Sequence, residues 1–171
     1  IRNNLNIQLA EKRAKCDVYS ISLLSENAHI DNNIVVKHTG PQCTSSQIFK
    51  GIFNDSSKGV FDSCVVVEKG AQKTIARQKN NNILLSDYAS INSNPQLEIF
   101  ADDVECVHGS TTGQLDNNAL FYLQSRGLTK ILANNVLLIA FLCDVVEKIP
   151  DSRVKARVLL DINKKLGVGL N

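Results

Sequence analysis

Eight short β-rich runs follow one another up to His108, and no helical stretch separates any two of them. They cover residues 5–9, 17–24, 34–39, 47–53, 59–68, 83–85, 97–100 and 104–108. A chain built this way has no crossover helices, so βαβ units are excluded. Two solutions remain, an antiparallel sandwich or barrel and a parallel β-helix. Turn formers at 31–33, 40–41, 54–56, 69–70, 80–82 and 92–95 punctuate the runs. None is the Asn-Gly or Asp-Gly pair that closes two-residue hairpins. Small and polar residues fill many strand positions, as stacked flat coils allow. Pattern therefore favours the β-helix.

The rhythm changes after Gly113. Asp116 can cap a helix that carries Leu120, Phe121 and Leu123 on its apolar side and ends at Gly127. Thr129 can cap a second helix over 130–148. Its centre, VLLIAFLC, is apolar all round and is expected to be buried on several sides. Pro150 is expected to start a third helix that closes at Gly167. Arg153, Lys155, Arg157, Lys164 and Lys165 form its solvated face, with Val158, Leu159 and Ile162 inward.

Composition narrows the function. With 43% hydrophobic residues the chain can bury a core, and its formal net charge is only +2. Scattered basic residues and 5% aromatics without Trp argue against nucleic-acid binding and against a base- or sugar-stacking surface. The longest apolar run, 136–143, is far short of the ~20 residues a membrane span needs. Five cysteines, an odd number with no C-x-x-C spacing, argue against a disulfide framework or zinc knuckle and for a reducing compartment. No Met stands at position 1, which suggests a portion of a longer protein.

The densest chemistry is DDVECVHGSTTGQLD, from Asp102 to Asp116. On a strand Asp102 and Asp103 point to opposite faces, so they do not form a paired-carboxylate site alone. Cys106 and His108 share a face, roughly 7 Å apart along the backbone. They can be strand packing, or two soft or borderline ligands of a metal or sulfur site. Two donors fall short of the four a stable site wants, so such a half-site makes sense only if another protein completes it. A Cys–His nucleophile pair lacks an orienting residue. The segment GSTTG reads as a strand-to-helix loop, able to cap a helix or hold an anion at its start. It lacks the GK[ST] ending of a nucleotide loop and does not fit G-x-S-x-G.

PQLEIFADDVECVHGSTTGQLDNNALFYLQSRG resembles the C-terminal part of the SufD branch of the SufB/SufD family, scaffold subunits of the SUF iron–sulfur cluster assembly machine. QIFKGIF, GVFDSCVVVEKGAQKTIARQ and NNNILLS are similar to coils of the same family. The resemblance runs from about His38 to Ile149, whereas residues 1–37 agree only in strand rhythm. Cys106, His108 and Gly109 point to the SufD branch, because SufB-like chains carry His-Glu there and lack the cysteine. Ser63-Cys64 departs from the usual pattern, so Cys64 inherits no role.

The resemblance implies a right-handed parallel β-helix over residues 1–112, with earlier coils missing, and a C-terminal domain of about three helices over 113–171. It implies a non-enzymatic scaffold that pairs with SufB through the β-helix and binds the ATPase SufC through the helices. Cys106 and His108 would bring thiolate and imidazole to the SufB junction, where an iron–sulfur cluster or iron is held transiently and shared. This chain alone would bind no cofactor stably. Leu120, Phe121, Tyr122 and Arg126 would contact SufC. Nucleic acid and membrane are not expected partners, and a homodimer is an option for the isolated chain. The host compartment would be the bacterial cytoplasm or, alternatively, the plastid stroma. Two other readings stay open, a SufB-type paralogue and a carbohydrate-active β-helix using Asp103, Glu105 and acids of neighbouring coils.

Overall fold

A computed structural model describes residues 1–167. Eight strands come first: β1 (Arg2–Leu9), β2 (Lys15–Leu24), β3 (His29–His38), β4 (Thr44–Phe53), β5 (Lys58–Val67), β6 (Ile75–Leu84), β7 (Ser90–Ile99) and β8 (Glu105–Gly113). Three helices follow: α1 (Asn117–Ser125), α2 (Lys130–Val146) and α3 (Ser152–Lys165). Odd strands form one four-stranded sheet and even strands another, each ordered by sequence. All six pairings are parallel and unbroken. The chain thus winds as a β-solenoid, two strands to a coil. Arg2 pairs with Asp31 and Lys58 with Ser90, so a coil takes 29 to 32 residues.

All eight sequence-predicted strands exist in the predicted order, but three polar segments expected to be turns lie inside strands. Residues 31–33 belong to β3, 80–82 to β6 and 92–95 to β7. Asparagine disfavours strands when its amide competes with the backbone. Here the amides of Asn32, Asn80 and Asn82 point into the lumen and bond across it or along the stack. Asn80 Nδ2 donates to Ser93 Oγ at 2.8 Å, and Asn32 Oδ1 accepts from Asn3 at 2.8 Å. Pro95 is tolerated because β7 is the last strand of its sheet, where a missing donor breaks no further ladder bond.

Inward residues alternate with outward ones along β3 to β6. The lumen holds Ile34, Val36, Phe49, Phe61, Val65 and Val67 as one apolar cluster, with Phe49 and Phe61 rings 4.9 Å apart. The Phe53 ring sits where Gly51 and Gly59 make room. A Cβ on either glycine would lie 2.4 or 2.6 Å from that ring. The corners turn on Arg13, Glu26, Gln42, Asp55 and Lys73, all with φ between 53° and 63°. Non-glycine residues take the left-handed conformation here, stacked coil upon coil and held by bonds such as Glu26 N–H to Asp55 Oδ2 at 2.8 Å.

The helices pack on the outer face of the even-numbered sheet. Ile52 and Ile83 meet Leu138, Leu142, Val146 and Ile162 in a second buried cluster. Lys50 pins the contact. Its ammonium lies 2.6 Å from an Asp144 carboxylate oxygen, donates to the Phe141 carbonyl and sits 4.5 Å from the Phe141 ring centre. The caps fall where the sequence places them at Asp116 and Thr129, and Gly127 and Gly167 follow their helices with positive φ. The third helix starts two residues later than expected. Asp151 caps it, accepting from the backbone of Arg153 and Val154, and Pro150 stays outside. The centre of α2 is not buried all round. Leu138 and Leu142 are buried, but Val136, Ala140 and Cys143 are exposed.

Candidate functional site

The candidate site lies at the open end of the coil stack. Strand β8 pairs with β6 and, among the described residues, nothing stacks beyond it. The register sets Cys106 on Ala76, His108 on Gln78 and Ser110 on Asn80. Those three β6 residues are buried in the lumen, so Cys106 and His108 belong to inward columns. Cys106 is half-buried and packs against the lumen cluster, whereas His108 is exposed. Parity along the strand predicts the shared face. That this face is the lumen's, reached through the end of the stack, is decided by the ladder.

Burial pushes the Cys106 thiol above its ordinary value of 9.0; a hydrogen bond with the Ala76 backbone opposes this, and the nearby Glu105 charge adds to it. The thiol is therefore a reluctant ligand that must shed its proton to bind metal. Among the described residues no three His, Cys, Asp or Glu side chains converge on a metal-sized site. A thiol and an imidazole stand together here, and any third or fourth donor must come from elsewhere. All five cysteines are free thiols.

The other predicted features sort clearly. The segment 109–113 is not a loop, since it completes β8, and the helix it was expected to precede starts only after the Asp116 cap. Its backbone is tied into the β6 ladder as strand, so it is not the loop an anion cradle at a helix start would need. Glu105 is engaged by Arg77 at 2.7 Å, and Asp102 and Asp103 lie exposed at the corner before β8. On α1, Leu120 is half-buried, while Phe121 and Tyr122 are 73% and 57% exposed. The Arg126 guanidinium lies over the Tyr122 ring at 5.3 Å. Ile131 and Leu132 on α2 are exposed as well.

Sequence reasoning overlooked Gln78, buried beneath His108 in the same column. Its signal was the coil spacing, which sets residue 78 under residue 108.

Fold and site together define a β-solenoid protein with an incomplete thiol–imidazole pair at the end of its stack. Comparison gives the family. The SufBD core domain of the SUF iron–sulfur cluster assembly system matches residues 1–141, and the chain belongs to this family. The match reaches the first residue, well before His38, where the visible resemblance begins. The chain is 34% identical over 169 residues to the iron–sulfur cluster assembly protein SufD of Escherichia coli (strain K12), covering 99% of this chain and 40% of that protein. It is 33% identical over 129 residues to SufD of Bacillus subtilis (strain 168), covering 75% and 30%. It is 32% identical over 157 residues to the chloroplastic protein ABCI7 of Arabidopsis thaliana, covering 90% and 33%. The chain thus spans two-fifths or less of these relatives. No helix among the described residues is long and apolar enough to cross a membrane.

Proposed function

We propose that this chain is part of a SufD-type, non-enzymatic scaffold subunit, and that Cys106 and His108 are its half of a cluster-assembly site completed by SufB. One observation carries the reading: the thiol and the imidazole stand on neighbouring inward positions of a strand whose outer edge pairs with nothing among the described residues. A second solenoid stacked end-on against β7 and β8 would meet both groups at once and could add the missing donors. Thiolate suits an iron–sulfur cargo. Ligation would require the thiol to give up its proton.

In the same proposal the helices receive SufC. The exposed Phe121 and Tyr122, the Arg126 stacked on Tyr122, and the half-buried Leu120 have the composition of an interface anchor. The Lys50 contact ties α2 to the solenoid, so movement of the helices on ATP hydrolysis by SufC would reach the coils. The host compartment in this reading is the bacterial cytoplasm or the plastid stroma.

The test is cluster assembly with SufB and SufC present, comparing wild type with Cys106→Ala and His108→Ala. Each variant should lower assembly at least tenfold and keep the wild-type melting temperature. Full assembly by both variants would refute the site.

A further inference from the structure

The helices leave a gap against the solenoid. A cavity of about 360 Å³ lies between the ends of β2, β4 and β6, the first half of α2 and the end of α3. That is the size of a small-molecule site. Leu23, Ile52, Leu138 and Leu166 form its apolar wall, continuing the second buried cluster. Its polar side chains come from Ser25, Asn54, Asn134, Asn135 and Lys165, and among the described residues no carboxylate lines it. Asn135 is the residue that packing does not explain. Asparagine is a poor helix former, because its amide competes with the backbone. Here it stands inside α2, only 7% exposed, and its side-chain nitrogen is buried without a hydrogen-bond partner among the described residues. Burying an unpaired amide is destabilising, whereas an apolar side chain of the same shape can be neutral or stabilising. Folding alone therefore gives no reason to keep an amide at this position. Rotation about the soft last torsion of the side chain turns its nitrogen toward the cavity that the residue lines. There it lacks only an acceptor. Lys165 lines the same cavity, is exposed and enters no ion pair among the described residues, so it too can receive an anion.

We infer that this cavity is a binding site for a small aliphatic carboxylate. Asn135 and Lys165 donate to the carboxylate oxygens, and the hydrocarbon lies along Leu23, Ile52 and Leu138. A cationic ligand is disfavoured, because Lys165 repels it and no acid of the wall receives it. A bound carboxylate touches the coils, α2 and α3 at once, so it fastens the helices to the solenoid. The inference does not depend on the roles proposed for Cys106 and His108.

The test is titration of the full chain with hexanoate, read on the side-chain amide signals of Asn135 by ¹⁵N NMR. Those signals should shift and saturate with a Kd of about 1 mM, the affinity open to so small a ligand. Hydrogen exchange in α2 should slow as they do. Asn135→Leu removes the donor at nearly constant volume. It should weaken hexanoate about tenfold or more, the worth of a hydrogen bond to a charged group, and should raise the melting temperature of the empty protein. Hexanamide, the neutral counterpart, should bind more weakly than hexanoate, and Lys165→Gln should abolish that difference. No saturable shift of the Asn135 amide overturns the inference, as does binding that Asn135→Leu leaves unchanged. A lower melting temperature in empty Asn135→Leu would show that the amide is already partnered, and overturns it too. Hexanamide binding as tightly as hexanoate overturns the choice of an anion. The wild-type titration decides the matter even if Asn135→Leu does not fold.

Discussion

Replacing Lys50 with methionine should loosen the helices from the solenoid by about 2 kcal/mol. The Lys50 side chain is only 12% exposed, but its partner Asp144 is 58% exposed. The ion pair with so solvated a carboxylate is worth about 1 kcal/mol at most. The charged hydrogen bond to the Phe141 carbonyl adds about 1.5 kcal/mol. Part of this is kept, because methionine still lays an apolar stem along the Phe141 ring. A loss of about 2 kcal/mol corresponds to roughly 4–8 °C in melting temperature for a domain of this size. The assay is urea unfolding of wild type, Lys50→Met, Asp144→Asn and the double variant, with hydrogen exchange along α2. The cycle should give a coupling of about 1 kcal/mol between Lys50 and Asp144, and exchange should quicken first in α2. A coupling below about 0.3 kcal/mol, within ordinary additivity, would refute the claim that this pair pins the helices.

Gly51→Ala should cost about 1–3 kcal/mol by overpacking, because the new methyl meets the Phe53 ring and Asn82 Oδ1; an unchanged urea midpoint would show that the lumen gives way. His38 is buried with Nε2 on Ser45 Oγ at 2.8 Å, and burial lowers its imidazole below the ordinary 6.5. The unfolded chain therefore binds this proton more readily. Stability from His38 is present above pH 6.5 and declines as the pH falls below it. Chemical unfolding between about pH 5.5 and 6.5, above the carboxylate range, should show this slope in wild type and lose it in His38→Asn. Phe121→Ala should weaken capture of SufC about tenfold or more without moving the melting temperature, since this ring is 73% exposed. Equal capture by the variant would take α1 out of the proposed interface.

The order of the strands was legible because the runs carry β-branched and aromatic residues and nothing helical intervenes. Their lengths were not. Asn80 and Asn82 read as turn residues from local chemistry, and only the neighbouring strands, which accept their amide N–H groups across the lumen at Ser93 and along the stack at Thr111, make them strand residues. The corners at 39–43, 54–57 and 68–74 were marked by turn formers, but the residues that take the left-handed conformation at Arg13, Gln42 and Lys73 were not, because none is glycine. At the site, strand parity brought Cys106 and His108 to one face, but which face depends on partners 30 positions earlier. Gln78 stayed hidden for the same reason, because its neighbour in space is far along the chain.

The corners differ in length while the four central ladders all run ten pairs. Residues 39–43 join β3 to β4, whereas the equivalent join between β5 and β6 needs 68–74, and pairing continues undisturbed on both sides. Insertions are therefore absorbed at the bends. One residue added inside a strand would exchange its two faces, expelling Gln47 or Gln78 to water and driving Lys79 inward. Evolution can lengthen this molecule at its bends almost freely, but along its walls only two residues at a time.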